Sequence, residues 1–144
     1  MCIELTPELI LYINTRNYTW YNFRMKKIAL IEDDQFIQDF VSQRLIEAGY
    51  EVILCTDGDE ALNLIEESQP DAVLLDLDLP NRNGMEILSD IRSLTSVQAI
   101  PVIIFSNNDD PDIESKAIAA GAQDFYMKAS TDPQELIKKI EGLF

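Results

Sequence analysis

Five short apolar runs recur along the chain, and four of them end directly at a charged or hydroxyl residue that could do chemistry. Ile28-Ala29-Leu30-Ile31 stops at Glu32, Ala72-Val73-Leu74-Leu75 at Asp76, Pro101-Val102-Ile103-Ile104-Phe105 at Ser106, and Phe125-Tyr126-Met127 at Lys128; the fifth run is Val52-Ile53-Leu54-Cys55. Continuous rather than alternating apolarity suits strands covered on both faces. Between the runs the period becomes helical. Ile37, Phe40, Val41 and Leu45 share one side of a helix that Gly49 closes. Ala61, Leu62 and Ile65 do so in a helix from about Asp59 to Ser68, capped by Asp57. Met85, Leu88 and Ile91 follow a turn at Leu79-Pro80-Asn81-Arg82-Asn83-Gly84. Ile113, Ala117 and Ala120 lie in a helix opened by Asp110-Pro111 and closed by Gly121, and Asp132-Pro133-Gln134-Glu135 has capping-box spacing ahead of Leu136, Ile137 and Ile140. Five strands alternating with five helices predict an α/β fold, a doubly wound parallel sheet with helices on both faces.

The first 24 residues break this pattern. Thr6-Pro7-Glu8 reads as a helix start and predicts a short helix through Ile13. Tyr12, Tyr18, Trp20, Tyr21 and Phe23 make the stretch aromatic, and Glu4, Glu8, Arg16 and Arg24 leave it neutral. We read residues 1–24 as an N-terminal extension of unknown role and residues 25–144 as the domain. The bland alternative is an upstream extension with no role. The pattern stops with the fifth helix, so no output domain is expected to follow.

Composition narrows the classes. The net charge is −15, against a nucleic-acid partner, because phosphate backbones are bound by clustered Lys and Arg. No run approaches the ~20 apolar residues that span a bilayer, and no signal peptide is evident; a cytoplasmic location and no membrane insertion are the expectation. Two cysteines, Cys2 and Cys55, give no disulfide framework, and the lack of histidine excludes Ser-His-Asp and Cys-His catalytic pairs.

In a doubly wound sheet every strand C-terminus opens on one edge, where such folds hold ligands. Glu32, Asp33, Asp34, Asp76, Ser106 and Lys128 are therefore expected to converge. Taken singly, each has a bland reading: a helix start, a turn former, a turn hydroxyl, a surface charge. Together they make coherent chemistry. Clustered carboxylates repel, and Mg²⁺ relieves the repulsion by taking carboxylate oxygens, carbonyls and waters. One carboxylate can then attack phosphorus, with Lys128 and Ser106 compensating the phosphoryl oxygens.

Leu30-Ile31-Glu32-Asp33-Asp34, Leu74-Leu75-Asp76-Leu77-Asp78-Leu79-Pro80, Ile103-Ile104-Phe105-Ser106 and Phe125-Tyr126-Met127-Lys128 resemble the receiver domains of two-component response regulators, in order and at the usual spacing from about residue 26 to residue 144. The resemblance implies a flavodoxin-like sheet of strand order 2-1-3-4-5 in a stand-alone, chemotaxis-regulator-like protein. It implies Asp76 as phosphoacceptor, Asp33 as direct Mg²⁺ ligand, Glu32 acting mainly through water, and the Asp78 backbone carbonyl as a further ligand. Ser106 and Phe125 would be the switch pair, Phe125 acting by packing alone because it lacks a hydroxyl. Lys128 would pair with the phosphoryl group, and Asp78, Asn107 and Asn108 would modulate its lifetime. The phosphodonor would be a histidine kinase or histidine phosphotransfer protein. The output would be a changed helix 4/strand 5/helix 5 surface read by a downstream protein target, and a homodimer is compatible with the family.

Ala129 stands where the family usually has proline after the lysine, so the peptide bond there is expected to be trans. The resemblance implies no enzyme beyond self-catalysed phosphoryl transfer and autodephosphorylation. Two alternatives share the residues. Asp76-Leu77-Asp78 also resembles the nucleophile motif of haloacid-dehalogenase-like phosphatases, although there the nucleophile follows the first strand and the acidic pair comes late. A degenerate receiver would act only as a protein-interaction module.

Overall fold

The computed structural model describes residues 24–129 and 132–144 in full, and before them only the backbone of residues 9–10, 13–14, 17–18 and 21–22. Five strands form one parallel sheet: β1 (Lys27–Ile31), β2 (Glu51–Cys55), β3 (Ala72–Leu75), β4 (Val102–Ser106) and β5 (Asp124–Met127), in the order β2-β1-β3-β4-β5. Five helices connect or follow them: α1 (Gln35–Glu47), α2 (Gly58–Ser68), α3 (Gly84–Ser93), α4 (Ile113–Ala119) and α5 (Pro133–Glu141). This is the flavodoxin-like architecture expected.

The apolar runs are unbroken because alternate residues serve two cores. Ile28, Leu30, Leu74, Ile103 and Phe105 pack under α1 and α5 with Val41, Leu45, Leu136 and Ile140. Ala29, Ile31, Val73, Leu75 and Ile104 pack on the other face with Ile65, Ile87, Leu88, Ile91 and Ala117. Asp34, Asp57, Asn83 and Asp132 each cap a helix through a side-chain oxygen, and Gly49 and Gly121 take positive φ just past α1 and α4.

Three local expectations are corrected. The backbone of the extension is paired as antiparallel strands, Leu9 with Asn22 and Ile13 with Tyr18, so no helix runs through Ile13. Its β-branched and aromatic residues favour extended backbone over the helix that Pro7 suggested. Thr6, Pro7, Glu8, Tyr12, Trp20, Phe23 and Cys2 lie outside the described residues. On α1, Phe40 is 40% exposed with its ring beneath the Arg44 guanidinium, while Gln38 is buried in its place. The buried line runs through 38, 41 and 45, a helical turn that apolarity alone misassigns. α4 begins at Ile113 rather than at Asp110-Pro111, because the Asp110 side chain accepts the Asp112 amide at 2.9 Å and holds that stretch as a turn.

Candidate functional site

Backbone hydrogen bonds carry the sheet's register one residue past its strands and set the height of the site. The Glu32 amide donates to the Cys55 carbonyl at 2.9 Å, the Asp76 amide to Ile31 at 3.0 Å and the Lys128 amide to Ser106 at 3.1 Å. Residues from four parts of the chain thus reach one rim. The buried polar residues among those described are Glu32, Gln38, Asp76 and Ser106, and three of these were expected from the strand ends. A buried polar group is more informative than an exposed apolar one, because it needs a partner to justify its desolvation.

The centre of the cluster is Lys128. Its Nζ lies 2.5 Å from Glu32 Oε2 and 2.9 Å from Asp76 Oδ2, with the side chain 9% exposed, and it also sits over the Phe105 ring at 5.3 Å. One oxygen each from Glu32, Asp33 and Asp76 falls within 4.8 Å of the others. Glu32 Oε1 accepts the Asp34 amide at 3.1 Å, and Asp76 Oδ1 the Asp78 amide at 3.3 Å. Burial pushes the Glu32 carboxyl above its ordinary range despite Lys128 beside it. Burial also pulls on Lys128, but its bonds to Glu32 and Asp76 outweigh that and hold the ammonium above its ordinary value.

The donors fit a hard divalent cation. All three clustered groups are carboxylates, the ligand type Mg²⁺ and Ca²⁺ prefer. Glu32 Oε2 is buried, with the Lys128 ammonium against it as counter-charge. Asp33 is exposed and gives the cluster a solvent-facing side.

The remaining expected residues surround this centre. The Ser106 hydroxyl accepts the Asn108 amide at 3.1 Å, which turns it toward its own loop. Asn108 Oδ1 accepts the Asp110 amide at 3.0 Å. Asn107 and Asp78 are exposed at the rim, and Phe125 is buried at 7% in the core beside α4. The bond between Lys128 and Ala129 is trans.

Three features were not anticipated. Gln38 reaches back from α1, its Nε2 donating to the Glu32 carbonyl. Asn81, at φ 68°, donates to both carboxylate oxygens of Asp57 at 3.2 Å, tying the loop after Asp76 to the cap of α2. Gly84 packs directly on the Asp76 backbone. The turn chemistry hinted at Asn81 and Gly84; nothing local marked Gln38.

A family model for the response regulator receiver domain matches residues 28–141. The chain belongs to that family. Solved receiver structures agree. This receiver is similar to a putative response regulator from Chloroflexus aurantiacus J-10-fl, at 27% identity and TM-score 0.78, over 83% of this chain and 98% of that one. It is similar to the chemotaxis response regulator CheY4 of Vibrio cholerae, at 26% identity and TM-score 0.77, over 84% of this chain and all (100%) of that one. It is also similar to the receiver domain of the sensor histidine kinase PA1611 from Pseudomonas aeruginosa PAO1, whose structure has a magnesium ion coordinated in the active site cleft; identity is 27% and TM-score 0.75, over 83% of this chain and 98% of that one. Among the described residues no helix is long and apolar enough to cross a membrane.

Proposed function

We propose that residues 25–144 act as a response-regulator switch that carries a phosphoryl group on Asp76, with residues 1–24 an extension to it. The observation that carries this reading is the Asp76 carboxylate, 3% exposed at the mouth of the sheet, with Lys128 at 2.9 Å and the Glu32 and Asp33 oxygens beside it. A carboxylate so placed is a nucleophile with its counter-charge in position.

The donor is a phosphohistidine on a histidine kinase or phosphotransfer protein. An Asp76 oxygen bonds to phosphorus as the P–N bond breaks, and the electron pair stays on the histidine ring nitrogen, which takes up a proton. Mg²⁺, held by Glu32, Asp33, Asp76 and the Asp78 carbonyl, would supply positive charge against the phosphoryl oxygens. Of the acidic pair, Asp33 would hold the ion directly and Glu32 would act mainly through water. Lys128 keeps one contact with Asp76 and turns its remaining donors to the phosphoryl group. The Ser106 hydroxyl exchanges the Asn108 amide for a phosphoryl oxygen and draws its loop inward, and Phe125 follows by packing. Asp78, Asn107 and Asn108 at the rim set how readily water reaches the acyl phosphate.

Phe36 and Phe40, exposed on α1, flank an apolar cleft that Lys128 also lines, which supports this rim as the donor's approach. Ile118 and Met127, exposed on α4 and β5, support the helix 4/strand 5/helix 5 face as the surface read by a downstream protein. The order of motifs, with the acidic pair on the first strand, disfavours the haloacid-dehalogenase-like phosphatase.

Incubation with acetyl phosphate and Mg²⁺ is expected to give one acid-stable, base-labile phosphoryl adduct, absent in Asp76→Ala. Sustained phosphate release from a generic ester would favour the phosphatase. No adduct in the wild type would leave a degenerate receiver that acts by protein contact alone.

A further inference from the structure

Among the described residues Gln38 is the one buried polar side chain that the phosphoacceptor role leaves without a task. It lies on α1, 2% exposed, and its Nε2 donates to the Glu32 carbonyl. That carbonyl needs a donor. Ile31 is the last β1 residue in register with both neighbouring strands, and its carbonyl takes the Asp76 amide at 3.0 Å. The Glu32 carbonyl stands one residue beyond the ladder, where a buried acceptor left unpaired is unfavourable. Gln38 is what satisfies it.

The consequence reaches the carboxylates through peptide planarity. The Glu32 carbonyl and the Asp33 amide belong to one rigid plane. The plane before the Glu32 Cα is held by the Glu32 amide on the Cys55 carbonyl at 2.9 Å. The plane after it is held by Gln38. With both fixed, the path of the chain from Glu32 to Asp33 is fixed too. The Asp33 carboxylate has no hydrogen bond or ion pair among the described residues, so its aim into the cluster comes from the backbone.

We propose that Gln38 is a positioning residue: by holding the Glu32–Asp33 peptide plane it aims the Asp33 carboxylate at a divalent cation. The inference rests on the phosphoacceptor reading and adds to it a residue that touches neither metal nor phosphoryl group. Partners one bond removed from a metal ligand commonly matter to affinity by tenfold or more.

The test is Mg²⁺ titration by calorimetry of the full chain, wild type against Gln38→Met, which keeps shape and loses the donor. The variant is expected to bind Mg²⁺ about 10-fold more weakly. In an Asp33→Asn background the same substitution is expected to change affinity little, since the group it aims is gone; a merely structural role would give the full loss in both backgrounds. If Gln38→Met does not fold, the wild type still decides: its Gln38 side-chain amide protons are expected to exchange slowly and to shift on Mg²⁺ addition. Equal Mg²⁺ affinity in wild type and Gln38→Met, or amide protons indifferent to Mg²⁺, overturns the inference alone. A wild type that binds no Mg²⁺ overturns the phosphoacceptor reading and the inference with it.

Discussion

A Cβ placed on Gly84 would fall 2.1 Å from the Asp76 carbonyl oxygen and 2.8 Å from the Leu77 Cα. The start of α3 is therefore seated directly against the backbone that carries the candidate nucleophile, and the Gly84 amide closes the turn on the Leu77 carbonyl at 3.0 Å. Only glycine permits this approach, although its φ is ordinary.

Gly84→Ala must push the β3–α3 loop away from Asp76. Overpacking of this kind costs about 1–3 kcal/mol. Urea unfolding should show that loss, and acetyl phosphate should label the folded variant more slowly than wild type. A variant matching wild type in both would show that the loop shifts freely.

Lys128 is the counter-charge to two buried carboxylates. Lys128→Met leaves Glu32 and Asp76 facing one another and should cost about 3 kcal/mol in EDTA at neutral pH, the scale for breaking a buried pair. Protonation of Glu32 relieves the repulsion, so the loss should shrink as pH falls. Unfolding free energies of both proteins across that range check this, and a pH-independent difference would contradict it. The same substitution should uncouple Asp76 phosphorylation from the change at the α4/β5/α5 surface, read by NMR shifts on that face.

Glu32 gives the metal-free protein a pH dependence of definite sign. Its folded value lies above the ordinary 4.5, so the folded state holds a proton that the unfolded chain releases. Stability from this group is lost as pH rises from 4.5 through the folded value. Lys128, raised above 10.5, acts with the same sign in its own, more alkaline window: its contribution is complete below 10.5 and fades as pH climbs through its folded value. Glu32→Gln should abolish the slope above the ordinary carboxylate range and also weaken the alkaline one, because it removes one of the two carboxylates that hold the Lys128 ammonium. Thermal melts in EDTA at stepped pH measure both.

Mg²⁺ should stabilise the folded chain by mass action, about 2.7 kcal/mol at a concentration 100 times Kd. Calorimetric Tm with and without EDTA is the measurement. Asp33→Ala and Asp76→Ala should each lose most of that shift, whereas Asp34→Ala, which removes the α1 cap, should lower Tm and keep it. An equal Mg²⁺ shift in Asp33→Ala would remove Asp33 from the ligand set.

The sequence by itself determined the sheet, the helices on both faces and the arrival of Glu32, Asp33, Asp76, Ser106 and Lys128 at strand ends. These follow from local facts: an apolar run two-sided enough to be a buried strand, and the residue at which it stops. Tertiary structure alone decided the contacts between those ends. That Lys128 lies between Glu32 and Asp76 and that Asn81 holds Asp57 are contacts between segments remote in sequence, and that Gln38 rather than Phe40 faces inward is a rotation of α1 set by its packing. No periodicity encodes them, because they depend on how strands register and how a helix is rotated about its axis once both cores are packed.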